Sequence, residues 1–200
     1  VKPPEYEKVY LLLCVKYKLE HRMVYISLVR GINVSGQKKI QMKDLKFLYE
    51  SLNFEEVATY IQSGNVIFSS SETDASELAQ RIENAINNKF GYEVFVILRS
   101  RDELEQAIEN NPFIKRKDID TSKLYVTFLK KLPADSKKDD FERIKKDSEE
   151  YDLVRKELYL YLPEGYGRTK LTNTYIERKL KVNATTRNWR TVNKLLEMAN

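Results

Sequence analysis

From Met23 onward, strand-like and helix-like apolar periodicities follow one order, and that order occurs twice. In the first run, 23–30 alternates as a strand and 30–36 is a polar, glycine-bearing loop. Met42, Leu45, Leu48, Tyr49 and Leu52 then recur at helical spacing up to Asn53. Strands are expected at 57–61 and 65–69, around the tight-turn signal Gln62-Ser63-Gly64-Asn65. Asp74 with Glu77 opens a helix carrying Leu78, Ile82, Ile86 and Phe90, and Gly91 stops it. A strand at 93–98 and a helix capped by Ser100 and Glu103 complete the run before Pro112. The second run has a strand at 124–129, a short helix at 139–146 and a hairpin of 151–154 with 157–162. A helix at 172–180, a short strand at 182–184 and a last helix at 188–198 follow, with Thr186 as its expected N-cap.

This order predicts an α+β chain of two ferredoxin-like (β-α-β-β-α-β) subdomains in tandem, 23–110 and 123–200, joined by a polar connection at 111–122. The halves share element order, and no residue-level identity between them stands out. In that topology the first two strands of a half run parallel with the third between them. The loop at 30–36 and the turn at 62–65 are therefore expected at one rim of the sheet. Residues 1–22 are expected to be an N-terminal extension, non-native or upstream.

Composition narrows the chemistry. The only Cys and the only His, Cys14 and His21, both lie in that extension, so a folded unit starting at Met23 has neither residue type for a Cys-His protease, a Ser-His-Asp hydrolase or an ordinary zinc site, and a single Cys excludes an intramolecular disulfide. No metal or other cofactor is expected. No apolar run approaches the ~20 residues that span a bilayer, and the run at 9–15 has Glu5 and Glu7 before it and Lys16 and Lys18 after it, which is not a secretory pattern. A cytoplasmic protein without a membrane partner is the expectation. Charge is uneven: 163–200 holds eight Lys/Arg against three Asp/Glu, while 71–110 holds four against nine. The basic end suits a phosphate-bearing ligand or nucleic acid, or a solvated surface facing the acidic half.

Three segments, YISLVRGINVSG at 25–36, TYIQSGNVIF at 59–68 and TTRNWRTVNKL at 185–195, resemble the bacterial family of domains of unknown function numbered 1697. The resemblance runs from Met23 to the C-terminus. It implies two ferredoxin-like subdomains and carries no assigned activity or catalytic residue. The family's first segment usually ends in two glycines, where this chain has Ser35 before Gly36.

Several positions are candidates for binding. At the rim, Arg30, Asn33, Gln62, Ser63 and Asn65 combine polar groups with glycines that let a ligand approach, or else simply tie two loops together. Thr186 and Arg187 stand at the expected start of the last helix, where unpaired N–H groups favour an anion. Arg168 and Lys170 lie in a basic, glycine-spaced stretch without P-loop spacing. Tyr125, Tyr159 and Tyr161 are a candidate stacking platform for bases, though the RNP1 pattern is missing. The leading expectation is non-catalytic binding of an anionic ligand: a nucleotide, nucleic acid or phosphorylated metabolite. The alternatives are a small enzyme working without Cys or His, and a protein-interaction module.

Overall fold

The computed structural model describes residues 22–34, 36–134 and 139–200. Cys14, His21 and Ser35, and nearly all of the expected extension, lie outside the described residues. The first half runs β1 (Met23–Val29), α1 (Met42–Ser51), β2 (Glu55–Tyr60), β3 (Asn65–Ser70), α2 (Ala75–Phe90), β4 (Val96–Ser100) and α3 (Arg101–Glu109). The second runs β5 (Leu124–Leu129), α4 (Asp139–Glu142), β6 (Glu150–Val154), β7 (Glu157–Tyr161), α5 (Asn173–Leu180), β8 (Ala184–Asn188) and α6 (Trp189–Met198). The chain is thus a mixed α/β protein with two four-stranded antiparallel sheets, ordered β2-β3-β1-β4 and β6-β7-β5-β8. No helix among the described residues is long and apolar enough to cross a membrane.

Local chemistry sets the helix ends. Asp74 accepts from the N–H groups of Ser76 and Glu77 to start α2, and Gly91 ends it in the left-handed region. Ser100 and Glu103 form the reciprocal capping box of α3. The expected short strand at 182–184 is instead β8, Ala184–Asn188. Thr185 and Thr186 favour extended backbone, so the strand continues through them. Thr186 is therefore not the cap of α6; Asn188 is, accepting from Thr191 N–H at 2.8 Å.

Three apolar clusters explain why β1, β3 and β5 read as nearly unbroken hydrophobic runs: each sheet is covered on both faces. Tyr25, Val29, Val66 and Phe68 face α1 and α2, meeting Leu45, Tyr49, Ile82 and Ile86. Leu129, Leu158 and Leu160 face α5, meeting Ile176 and Leu180. The remaining faces share one central cluster, in which Ile26, Leu28 and Ile67 join Val126, Phe128 and Tyr159 with Leu104 of α3 and Val192 and Leu195 of α6. The two halves therefore bury a common core, and α3 packs on α6 within it.

That core removes the tyrosine platform. Tyr159 is 1% exposed, and its hydroxyl donates to Ala107 O at 2.7 Å. Tyr125 pairs with Leu160 while Val126 pairs with Tyr159, so Tyr125 lies on the opposite face. It stacks near Tyr166 instead.

Candidate functional site: a rim clamped between the halves

Arg187 sits on β8 opposite Val126, and its side chain leaves the second half. Its Nε donates to Asn65 Oδ1 at 2.6 Å, and one terminal nitrogen donates to Val29 O at 3.1 Å and Ser63 O at 3.0 Å. The other donates to Thr185 Oγ1 at 2.7 Å and Thr186 O at 2.9 Å. All five guanidinium N–H groups thus meet neutral acceptors, and the residue is 8% exposed. Burial, reinforced by the nearby Arg30 cation, pushes its pKa down to about 10. The three sequence segments singled out above meet here: Val29 belongs to the first, Ser63 and Asn65 to the second, and Arg187 to the third.

A second arginine makes the matching contacts in the other direction. Arg99 of β4 reaches the second half, donating to Leu129 O at 2.9 Å, Lys156 O at 3.4 Å and Glu157 Oε1 at 2.9 Å, besides Leu98 O. Each arginine grips the end of the opposite half's first strand, the turn before its third strand and the opening residue of that third strand. Each also precedes the N-cap of the half's last helix, Ser100 or Asn188. The partners differ in one respect: Arg99 faces the carboxylate of Glu157, with side chains 2% and 11% exposed, whereas Arg187 faces the amide of Asn65. Sequence reasoning missed Arg99 and Glu157. The available signal was an arginine directly before a helix cap at corresponding places in both halves.

The rim forms as the topology requires. Val29 N–H donates to Gly64 O at 2.8 Å, so the end of β1 and the β2–β3 turn are neighbours. Asn33, at φ 55°, accepts from Ile40 N–H and donates to Ile40 O and Gln62 O, each at 2.9 Å. Asn65 is fully buried and also donates to Tyr60 O and Ser63 Oγ. Gly64 sits at φ +70°, and a Cβ there would lie 2.9 Å from the Ile32 side chain, so both conformation and space demand glycine. Arg30 turns to the second half, where Glu177 accepts at 3.1 and 3.3 Å and also takes the Ala184 N–H. Thr186 Oγ1 joins Thr127, Asn173 and Tyr166 in a hydroxyl–amide network. Arg168 and Lys170 are exposed, and among the described residues their side chains make no hydrogen bond to Arg30, Asn65 or Arg187.

On the solvent side of Asn33 and Gln62 lies a groove of about 830 Å³, bordered by Lys39 and Lys43, with Ile40, Met42 and Phe90 supplying apolar lining. It opens at the start of α1. Gln41 occupies the N-cap without a side-chain hydrogen bond, leaving first-turn N–H groups unpaired by a cap. Among the described residues neither Lys39 nor Lys43 has a carboxylate within ion-pair distance. Asp44, in the first turn, is the acidic group of the lining. Of the expected site residues, the rim set therefore divides: Asn33 and Gln62 face the groove, while Arg30, Ser63, Asn65, Thr186 and Arg187 lie along the seam between halves.

Fold and rim together define a two-sheet α/β protein in which buried arginines clamp the halves and an open groove lies beside one clamp. The chain belongs to the family described as protein of unknown function (DUF1697), whose model matches residues 23–159. No curated protein matches it. Among solved structures, it is similar to the conserved bacterial protein SP0830 from Streptococcus pneumoniae, at 26% identity and a TM-score of 0.70, covering 90% of this chain and 99% of that one.

Proposed function

We propose that the chain is a fused pair of ferredoxin-like halves acting as a non-catalytic, cytoplasmic binder of an anionic, phosphate-bearing ligand, held in the groove at the first-half rim. The identical strand orders and the matched contacts of Arg99 and Arg187 support the paired-half reading. One observation carries the binding reading: two lysines lacking carboxylate partners among the described residues, Lys39 and Lys43, flank the N-terminus of a helix that has no side-chain cap. Helix N-termini and ammonium groups both favour anions, and their effects add at short range. Left-handed backbone at Asn33, which lines the groove, and at Lys38 and Ile61, next in sequence to the lining residues Lys39 and Gln62, fits the tendency of strained conformations to gather at functional sites. The clamp at Arg187 holds Ser63 O, next in sequence to the groove residue Gln62.

Titration of inorganic pyrophosphate, followed by calorimetry, tests the reading. The wild-type protein should bind saturably, and Lys39→Glu with Lys43→Glu should weaken binding at least about tenfold, the equivalent of ~1.4 kcal/mol. Equal binding by both proteins would overturn it, as would no heat beyond dilution.

A further inference from the structure

Three of the large apolar side chains that remain exposed are next in sequence to residues that line this groove, or one helical turn from one of them. Val34 is 55% exposed, Phe47 51% and Ile61 49%. Val34 and Ile61 adjoin Asn33 and Gln62, which hydrogen-bond to each other, and Phe47 lies under the Lys43 ammonium at 5.6 Å. Ile61 is the most telling. It sits at φ 47°, where a β-branched side chain is strained, at a turn that Gly or Asn would occupy without strain. Both its backbone and its exposed side chain are therefore unfavourable in the isolated protein. Contact with a partner would offset the exposure of that side chain.

Resting on the anion-binding reading above, we infer that the groove docks an acidic protein segment bearing apolar side chains. The apolar tips supply the contact area, and Lys39 and Lys43 match the partner's carboxylates. Nucleic acid fits less well: bases stack on aromatic faces, whereas two of the three tips are aliphatic. The proposal commits to a protein partner in the surface-groove mode, with charge for selection and apolar anchors for affinity.

The test uses fluorescence anisotropy with the full chain and four labelled probes: a peptide of alternating Glu and Leu, the same peptide with Lys for Glu, one with Ser for Leu, and oligouridylate. The Glu-Leu peptide should bind at least about tenfold more tightly than the other three. Ile61→Asn should weaken that binding while raising Tm, because asparagine tolerates the left-handed turn; a general folding defect would lower Tm instead. The inference is overturned if the peptides bind alike, if oligouridylate binds best, or if Ile61→Asn leaves affinity unchanged. Concentration-dependent self-association abolished by Ile61→Asn would also overturn it, assigning the surface to a second copy. Pyrophosphate separates the two readings: if it still binds while no peptide does, only the protein-partner inference fails; if neither binds, both fail.

Discussion

Replacing Arg99 with methionine removes the cation but leaves Glu157 enclosed at the seam. Arg99 and Glu157 are 2.9 Å apart with side chains 2% and 11% exposed, so little water reaches the orphaned carboxylate. Breaking such a buried pair costs about 3–5 kcal/mol. For a chain of this size each kcal/mol moves Tm by about 2–4 °C, so Arg99→Met should lower Tm by roughly 6–20 °C. Adding Glu157→Met removes the stranded charge, and the double variant should recover about 2 kcal/mol even though the carbonyls of Leu98, Leu129 and Lys156 still lack their donor. Arg187→Met strands neutral acceptors only and should cost less, about 1–3 kcal/mol. Urea unfolding of the four proteins measures all of this. The reasoning is refuted if the double variant is no more stable than Arg99→Met, or if Arg187→Met is the more damaging single change.

Three further outcomes follow from particular contacts. Gly64→Ala should destabilise by about 1–3 kcal/mol, from left-handed strain and crowding against Ile32 and Val29; a urea midpoint equal to wild type would contradict the steric account of the turn. Asn188→Ala should cost ~1 kcal/mol through loss of the α6 cap, and thermal unfolding unchanged by it would reopen the assignment of the cap. Burial opposes the charge of the Glu103 carboxylate, but Lys156 and the Ser100 N–H outweigh it and hold the pKa below its ordinary value. A depressed pKa means that this contribution is present above the unfolded-state value and is lost as pH falls through the folded one. Glu103→Gln should therefore lose less stability than wild type between about pH 5 and about pH 3, and parallel acid curves would refute it.

The elements themselves were legible because their causes are local. Apolar strand-length runs marked β1, β3 and β5, and the capping pairs Asp74–Glu77 and Ser100–Glu103 marked helix starts that the structure confirms. The rim was legible from topology plus the Gly64-Asn65 turn. The clamp was not, because Arg187 meets residues 122, 124 and 158 positions away, and no local pattern announces an arginine that will be buried. A surface anion ligand and a buried tie look the same in sequence. Thr186 looked like a cap because its side chain can be one, yet the strand continues for two more pairs, Arg187 with Val126 and Asn188 with Tyr125, before α6 begins. Tyr125 was assigned to the wrong face because alternation fixes faces within a strand, while register between strands decides which residues meet. Lys39 and Lys43 escaped notice because nothing in their spacing shows that the helix they flank lacks a cap.

The central physical claim is that a residue of the second half holds the first-half rim in place. Hydrogen–deuterium exchange on Arg187→Lys tests it directly, since lysine keeps the charge but cannot reproduce the five-donor fork. Exchange should accelerate at the amides of Val29 and Asn65, about 120 or more positions from the substitution, while α5 and β7 exchange as in wild type. Unchanged protection at Val29 and Asn65 would contradict the account.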